Sequence, residues 1–152
     1  MKLTEDQLTL WGRRIGREVD APLFIGLKGP LGAGKSVFAR AVAHGAGVRE
    51  SVPSPTFNVL FRYEGAEVGS VVHADLYRLD SSDDLVDIGW EEILADDGIV
   101  LVEWPERAGE ALPTDRWEIE LGFVAGEPHL RMVSVRRHGT PGHLPGFPVS
   151  LT

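Results

Sequence analysis

The sequence predicts an α/β fold around a mostly parallel sheet, with antiparallel strands added at one edge. Three observations carry that expectation. Two short runs, Leu23-Phe24-Ile25-Gly26-Leu27 and Ile99-Val100-Leu101-Val102, contain no polar side chain. A strand covered on both faces needs such a run, whereas a half-exposed strand alternates. Directly after the first run comes a glycine-rich stretch and then a helical apolar pattern. Late in the chain, Trp117-Glu118-Ile119-Glu120-Leu121 and part of Leu130 to Val135 alternate at period two about Ala125-Gly126-Glu127-Pro128, the pattern of a hairpin.

The other elements follow in order. Thr4-Glu5-Asp6-Gln7 has the form of a capping box, and Leu8, Trp11 and Ile15 recur at helical spacing, so residues 5–18 read as an amphipathic helix with Trp11 packed on the core. Asp20-Ala21-Pro22 breaks it. Val37, Phe38, Ala41 and Val42 carry a second helix to about His44, ended by Gly45 and Gly47. Phe57 to Tyr63 and Gly69 to Asp75 read as strands, and residues 80–94 as short helical pieces. Residues 1–137 are expected to form one domain, and the Gly/Pro-rich stretch 138–152 a flexible tail.

Composition narrows the function. With 152 residues, 43% hydrophobic and 25% charged, the chain suits one globular core better than a disordered segment. It has no cysteine, so disulfides and thiolate metal sites are excluded. No apolar run approaches the roughly 18 residues that span a bilayer, and the amino terminus lacks a secretory pattern; a cytoplasmic location and no membrane partner are expected. The net charge of −8 argues against autonomous nucleic-acid binding, which needs a basic surface to displace counterions.

Gly29-Pro30-Leu31-Gly32-Ala33-Gly34-Lys35-Ser36 satisfies the Walker A pattern between a predicted strand and a predicted helix. The expected fold is therefore a three-layer P-loop NTPase fold. Amides from Gly32 to Ser36 would form an anion nest at a helix start, with Gly34 admitting close approach of phosphate. Gly29, Leu31, Gly32, Ala33, Gly34, Lys35, Ser36 and Val37 are the expected nucleotide-binding set, for ATP or ADP. Lys35 would reach the β- and γ-phosphates and the Ser36 hydroxyl would ligate Mg2+. Pro30 has no N–H, but early in the loop that donor is less needed.

A P-loop also needs an acidic group at the end of a neighbouring strand to hold magnesium or position water. Glu103, after the second apolar run, is favoured as this carboxylate; Asp75, after Val71-Val72-His73-Ala74, is the other candidate. Asp75 also reads as a helix cap or a salt-bridge partner of Arg78, and His73 as structural. Thr56, in Ser54-Pro55-Thr56-Phe57, stands where P-loop switches carry a γ-phosphate sensor, although the segment also reads as the plain start of a strand.

Taken together, the Walker A loop, Ser54-Pro55-Thr56-Phe57, His73-Ala74-Asp75-Leu76-Tyr77-Arg78-Leu79, Ile88-Gly89 and Val102-Glu103-Trp104-Pro105-Glu106 closely resemble the TsaE (YjeE) family over residues 3–135. The resemblance implies an ATPase of low activity alone that works beside TsaB and TsaD in bacterial tRNA threonylcarbamoyladenosine synthesis. It implies that tRNA is met only through the complex and that hydrolysis resets the complex between rounds. It carries phosphate and magnesium binding to Lys35 and Ser36, a switch-like role to Thr56, and acidic site roles to Asp75 and Glu103. Trp104 adjoins these and is read as covering the nucleotide, meeting a partner, or packing in the core. Pro30 stands where the family usually has an acid, and Ser36 where threonine is commoner.

Two other classes using this loop are weaker. A small-molecule kinase needs an acceptor pocket and a lid, and no lid insertion is evident. A GTP switch needs an Asn-Lys-x-Asp guanine reader, and the one asparagine, Asn58, has no lysine after it. A nucleotide-gated scaffold with incidental hydrolysis overlaps the ATPase reading.

Overall fold

Helix α1 (Glu5–Glu18) starts on a complete capping box: Thr4 Oγ1 accepts from the Gln7 amide at 3.2 Å, and Gln7 Oε1 accepts from the Thr4 amide at 2.8 Å. The pair satisfies donors that a helix start otherwise leaves orphaned. The structure is a computed structural model, described over residues 1–49, 60–66 and 69–146. Leu8, Trp11 and Ile15 are buried on α1, with Trp11 tilted against Phe38 of α2 (Lys35–Gly45) at 5.3 Å between ring centroids. Gly12 and Gly16 allow the two helices to touch, since a Cβ on Gly16 would stand 2.0 Å from the Val42 carbonyl oxygen.

The strands are β1 (Lys2–Thr4), β2 (Leu23–Lys28), β3 (Leu60–Ala66), β4 (Gly69–Asp75), β5 (Ile99–Glu103), β6 (Arg116–Phe123) and β7 (Leu130–His138). They form one sheet in the order β1-β7-β6-β2-β5-β4-β3. The inner four, β6, β2, β5 and β4, are parallel, and antiparallel strands flank them at both edges. The sequence pointed to such strands at one edge. On the other edge β3 pairs back on β4, and at the expected edge β1, too short at three residues to show a period, adds outside β7.

Alternation along the inner strands feeds two cores. Leu23, Ile25, Leu27, Val71, Ile99, Leu101, Ile119 and Leu121 face α1 and α2. Phe24, Val72, Ala74, Val100 and Val102 face the opposite layer, made of α3 (Ser82–Asp87), α4 (Trp90–Leu94) and short 3-10 turns at Pro105–Arg107 and Gly109–Ala111. There Trp90 meets Phe24 edge-on at 6.2 Å and donates from Nε1 to the Ala111 carbonyl at 2.9 Å. The three layers stand as expected. Among the described residues no helix is long and apolar enough to cross a membrane.

The stretch read as a flexible tail from residue 138 differs as far as Gly146. His138 closes β7, and the chain then packs back over the molecule. Trp117 Nε1 donates to the Gly142 carbonyl and Trp11 Nε1 to the Pro145 carbonyl, both at 2.8 Å; Arg14 reaches the Gly146 carbonyl at 3.1 Å, and Leu144 is buried. A packed indole must place its N–H on an acceptor, and an extended Gly/Pro segment has free carbonyls to offer. Residues 147–152 lie outside the described residues.

One buried acid in the sheet ties stability to pH. Glu118 sits 2.8 Å from Arg116 Nε, 3.1 Å from His138 Nε2 and 3.6 Å from Lys28 Nζ. Burial pushes its carboxyl up, but the Arg116 hydrogen bond and the charges of His138, Arg116 and Lys28 outweigh burial and hold it below the ordinary range. A depressed carboxyl contributes stability above its unfolded-state pKa, and that contribution is lost as pH falls through the folded-state value. Thermal unfolding of Glu118→Gln is therefore expected to show a loss of about 1–3 kcal/mol at neutral pH and a flatter acid limb below about pH 4.3. A parent-like acid limb would contradict this.

Candidate functional site

The loop between β2 and α2 lies at the carboxyl ends of the parallel strands, where open α/β sheets take their ligands. Gly29, Gly32 and Gly34 have positive φ, at 139°, 80° and 108°. Gly29 is glycine for packing as well, because a Cβ there would lie 2.2 Å from the Leu121 carbonyl oxygen of β6. Gly34 caps α2 in the left-handed region, and Phe38 N–H donates back to its carbonyl at 3.0 Å. Helix α2 begins at Lys35, directly after the loop, and the first turn of a helix is a natural place for an anion. Leu31 projects from the loop tip, 64% exposed.

Lys35 is nearly covered. Its Nζ donates to the Gly29 carbonyl and, at 3.2 Å, to the Pro30 carbonyl, and lies 4.0 Å from the centre of the Trp104 ring. Burial lowers the lysine pKa, and the nearby carboxylates of Glu103, Asp75 and Glu106 oppose that without reversing it. Trp104 holds a left-handed backbone at φ 58°, where a bulky side chain is strained. Its amide donates to the Leu27 carbonyl at 3.1 Å, and its ring is tilted on Tyr77 at 5.0 Å.

The two carboxylates meet because β4 and β5 are parallel in a register that sets Asp75 opposite Glu103. Glu103 is buried and takes the Ser36 hydroxyl at 2.9 Å on Oε2 and 3.1 Å on Oε1. Asp75 accepts from the Tyr77 amide at 2.9 Å on Oδ1, so it caps a turn through that oxygen. Burial raises the Asp75 pKa first; the Tyr77 amide, His73 and Lys35 lower it, Glu103 raises it, and the balance is upward. Among the described residues no three His, Cys, Asp or Glu are grouped to cage a metal. Magnesium in nucleotide sites uses one or two carboxylates and substrate phosphates instead. Ser36, Glu103 and Asp75 supply the hard oxygens that suit it.

His73, read from sequence as structural, is fully buried with Nε2 2.6 Å from Glu103 Oε2. Its Nδ1 has no hydrogen-bond partner among the described residues. An ionised carboxylate only accepts, so Nε2 carries the hydrogen in this contact. His73 thus orients the acidic side chain. The available signal was its i, i+2 spacing to Asp75, which puts both on one strand face. Thr56 lies outside the described residues.

Beside the loop, a groove of about 510 Å3 runs between the start of α1 and the β6–β7 hairpin. Thr4, Glu5, Gly34, Val37, Pro128 and Arg131 line it.

A buried strand, a glycine loop and a helix start, facing two strand-end carboxylates in a sheet with a parallel centre, define a member of the P-loop fold class. The family model described as "Threonylcarbamoyl adenosine biosynthesis protein TsaE" matches residues 3–127. Similar curated proteins include the tRNA threonylcarbamoyladenosine biosynthesis protein TsaE of Treponema pallidum, 37% identical over 115 residues that cover 76% of this chain and 84% of that one. The protein of the same name from Streptomyces coelicolor is 35% identical over 118 residues, covering 76% and 79%. Among solved structures, Bacillus subtilis YdiB superposes with a TM-score of 0.75 at 23% identity, covering 91% of this chain and 86% of that one, a likeness of fold. The chain belongs to the TsaE family of tRNA threonylcarbamoyladenosine biosynthesis proteins.

Proposed function

We propose that this chain binds ATP with magnesium, hydrolyses it slowly, and supports repeated turnover of a TsaB–TsaD transferase complex acting on tRNA in the cytoplasm. The observation that carries the reading is the convergence of Lys35, Ser36, Glu103 and Asp75 at one end of the parallel strands. The groove from Thr4 to Arg131 offers room for base and ribose beside the loop.

Each residue then has a task. Lys35 exchanges the Gly29 and Pro30 carbonyls for the β- and γ-phosphate oxygens, and the loop amides hold the rest of the triphosphate. Ser36 and Glu103 hold magnesium, which supplies charge neutralisation at the phosphates. Asp75, opposite Glu103 at the strand end and with a raised pKa, orients the attacking water. Trp104 shields the lysine from solvent, which strengthens its field at the phosphates. A chain of charge −8 meets tRNA through its partners.

Reconstitution with TsaB, TsaD and unmodified tRNA tests the reading. Multiple rounds of modification are expected only when this chain and hydrolysable ATP are both present. Equal multiple turnover without the chain would contradict the pathway role.

A further inference from the structure

Arg131 lies on β7, 98 residues from Ala33 along the chain and beyond residue 127, where the family match ends. Its guanidinium grips four backbone carbonyls. Nε donates to Ala33 O at 3.0 Å and Nη2 to Gly32 O at 3.4 Å; Nη1 donates to Pro128 O at 2.8 Å and Leu130 O at 2.9 Å. The group stands 4.9 Å from the centre of the Phe123 ring. One side chain thus ties the glycine loop to the β6–β7 hairpin.

We propose that Arg131 is a positioning residue for phosphate binding, which holds the Ala33–Gly34 peptide with its N–H turned into the loop. In a trans peptide the carbonyl and the N–H point in opposite directions. With the Ala33 carbonyl bound to Arg131, the Gly34 N–H is directed away from β7, toward the concave side. The preceding peptide is held from both ends, because the Gly32 carbonyl meets Arg131 and the Ala33 N–H donates to Pro30 O at 3.2 Å. Such a clamp is needed here because Gly32 and Gly34 flank Ala33, and glycine rotates with little steric resistance. A flipped Ala33–Gly34 peptide would aim a carbonyl oxygen at the phosphates, replacing attraction by repulsion.

This inference rests on the nucleotide reading and deepens it. The test is calorimetric titration of the full-length parent, Arg131→Ala and Arg131→Lys with magnesium ATP and, separately, with inorganic tripolyphosphate. Arg131→Ala is expected to weaken both by about tenfold and by the same factor, the size of a lost hydrogen bond to a charged group. Added methylguanidinium is expected to restore most of the loss. Arg131→Lys, whose compact ammonium does not span the carbonyls, is expected to bind about threefold more weakly than the parent, and it carries the test if the alanine variant fails to fold. Parent-like uptake of tripolyphosphate by both variants would overturn the positioning role while the nucleotide reading stands. A loss that methylguanidinium leaves untouched assigns Arg131 to hairpin packing and overturns it too. If the parent itself takes up neither ligand, the nucleotide reading falls, and this inference with it.

Discussion

Lys35→Ala is expected to weaken magnesium ATP binding by about 100-fold or more, the size of a charge-assisted contact to two phosphates in a partly desolvated site. The residue is nearly covered, and its pKa is lowered by burial even with Glu103, Asp75 and Glu106 nearby. A charge already taken out of water is not offset by rehydration when it moves onto phosphate, so more of its Coulomb energy reaches the ligand. The amides of the loop remain in the variant, and diphosphate is expected to lose less affinity than triphosphate. Equilibrium dialysis with labelled ATP and ADP checks both points, with the thermal midpoint as the control for folding. Equal affinity of variant and parent would mean that the loop does not hold the phosphates.

Glu103→Ala is expected to leave ATP binding largely intact and to lower turnover by about 100-fold or more, as loss of an acid–base or metal-positioning group does. The alanine also strands the Nε2 of His73, a fully buried ring, so a lower thermal midpoint should accompany it. Glu103→Gln separates the two effects. Its amide oxygen still accepts from His73 and Ser36, so stability should be nearly parental while turnover stays low. Steady-state phosphate release checks the prediction. Parental turnover in both variants would move the essential carboxylate to Asp75, which faces Glu103 across the β4–β5 pair.

Most of this arrangement was legible in the residues because it is local. The capping box at Thr4, the apolar runs of β2 and β5, the glycine loop and the β6–β7 hairpin each declare themselves within a few positions; α1, β2 and β5 form within about one residue of their expected places, while β6 and β7 run on to Phe123 and His138, past the expected Leu121 and Val135. Glu103 and Asp75 were legible for the same reason, as acids ending apolar runs.

What the sequence hid depends on contacts between distant segments. The i, i+4 spacing of Gly12 and Gly16 gains meaning only when α2 lies against them, with the Val42 carbonyl where a methyl group would be. His73 reads as structural and is fully buried, but the partner that gives it this role, Glu103, lies on another strand, 30 residues on. Arg131 and the loop carbonyls it holds share no local pattern at all. The Gly/Pro stretch to Gly146 looked loose because its role is to lend carbonyls to two indoles, which periodicity does not report.

The central claim is that the cradle from Gly29 to Ser36, with Glu103 and Asp75 opposite, holds a magnesium triphosphate. Isothermal titration of the purified chain with ATP, with and without magnesium, measures this most directly. Saturable uptake of one ATP per chain is expected, tighter with the metal than without it. No uptake under either condition, even with TsaB and TsaD added, would contradict it.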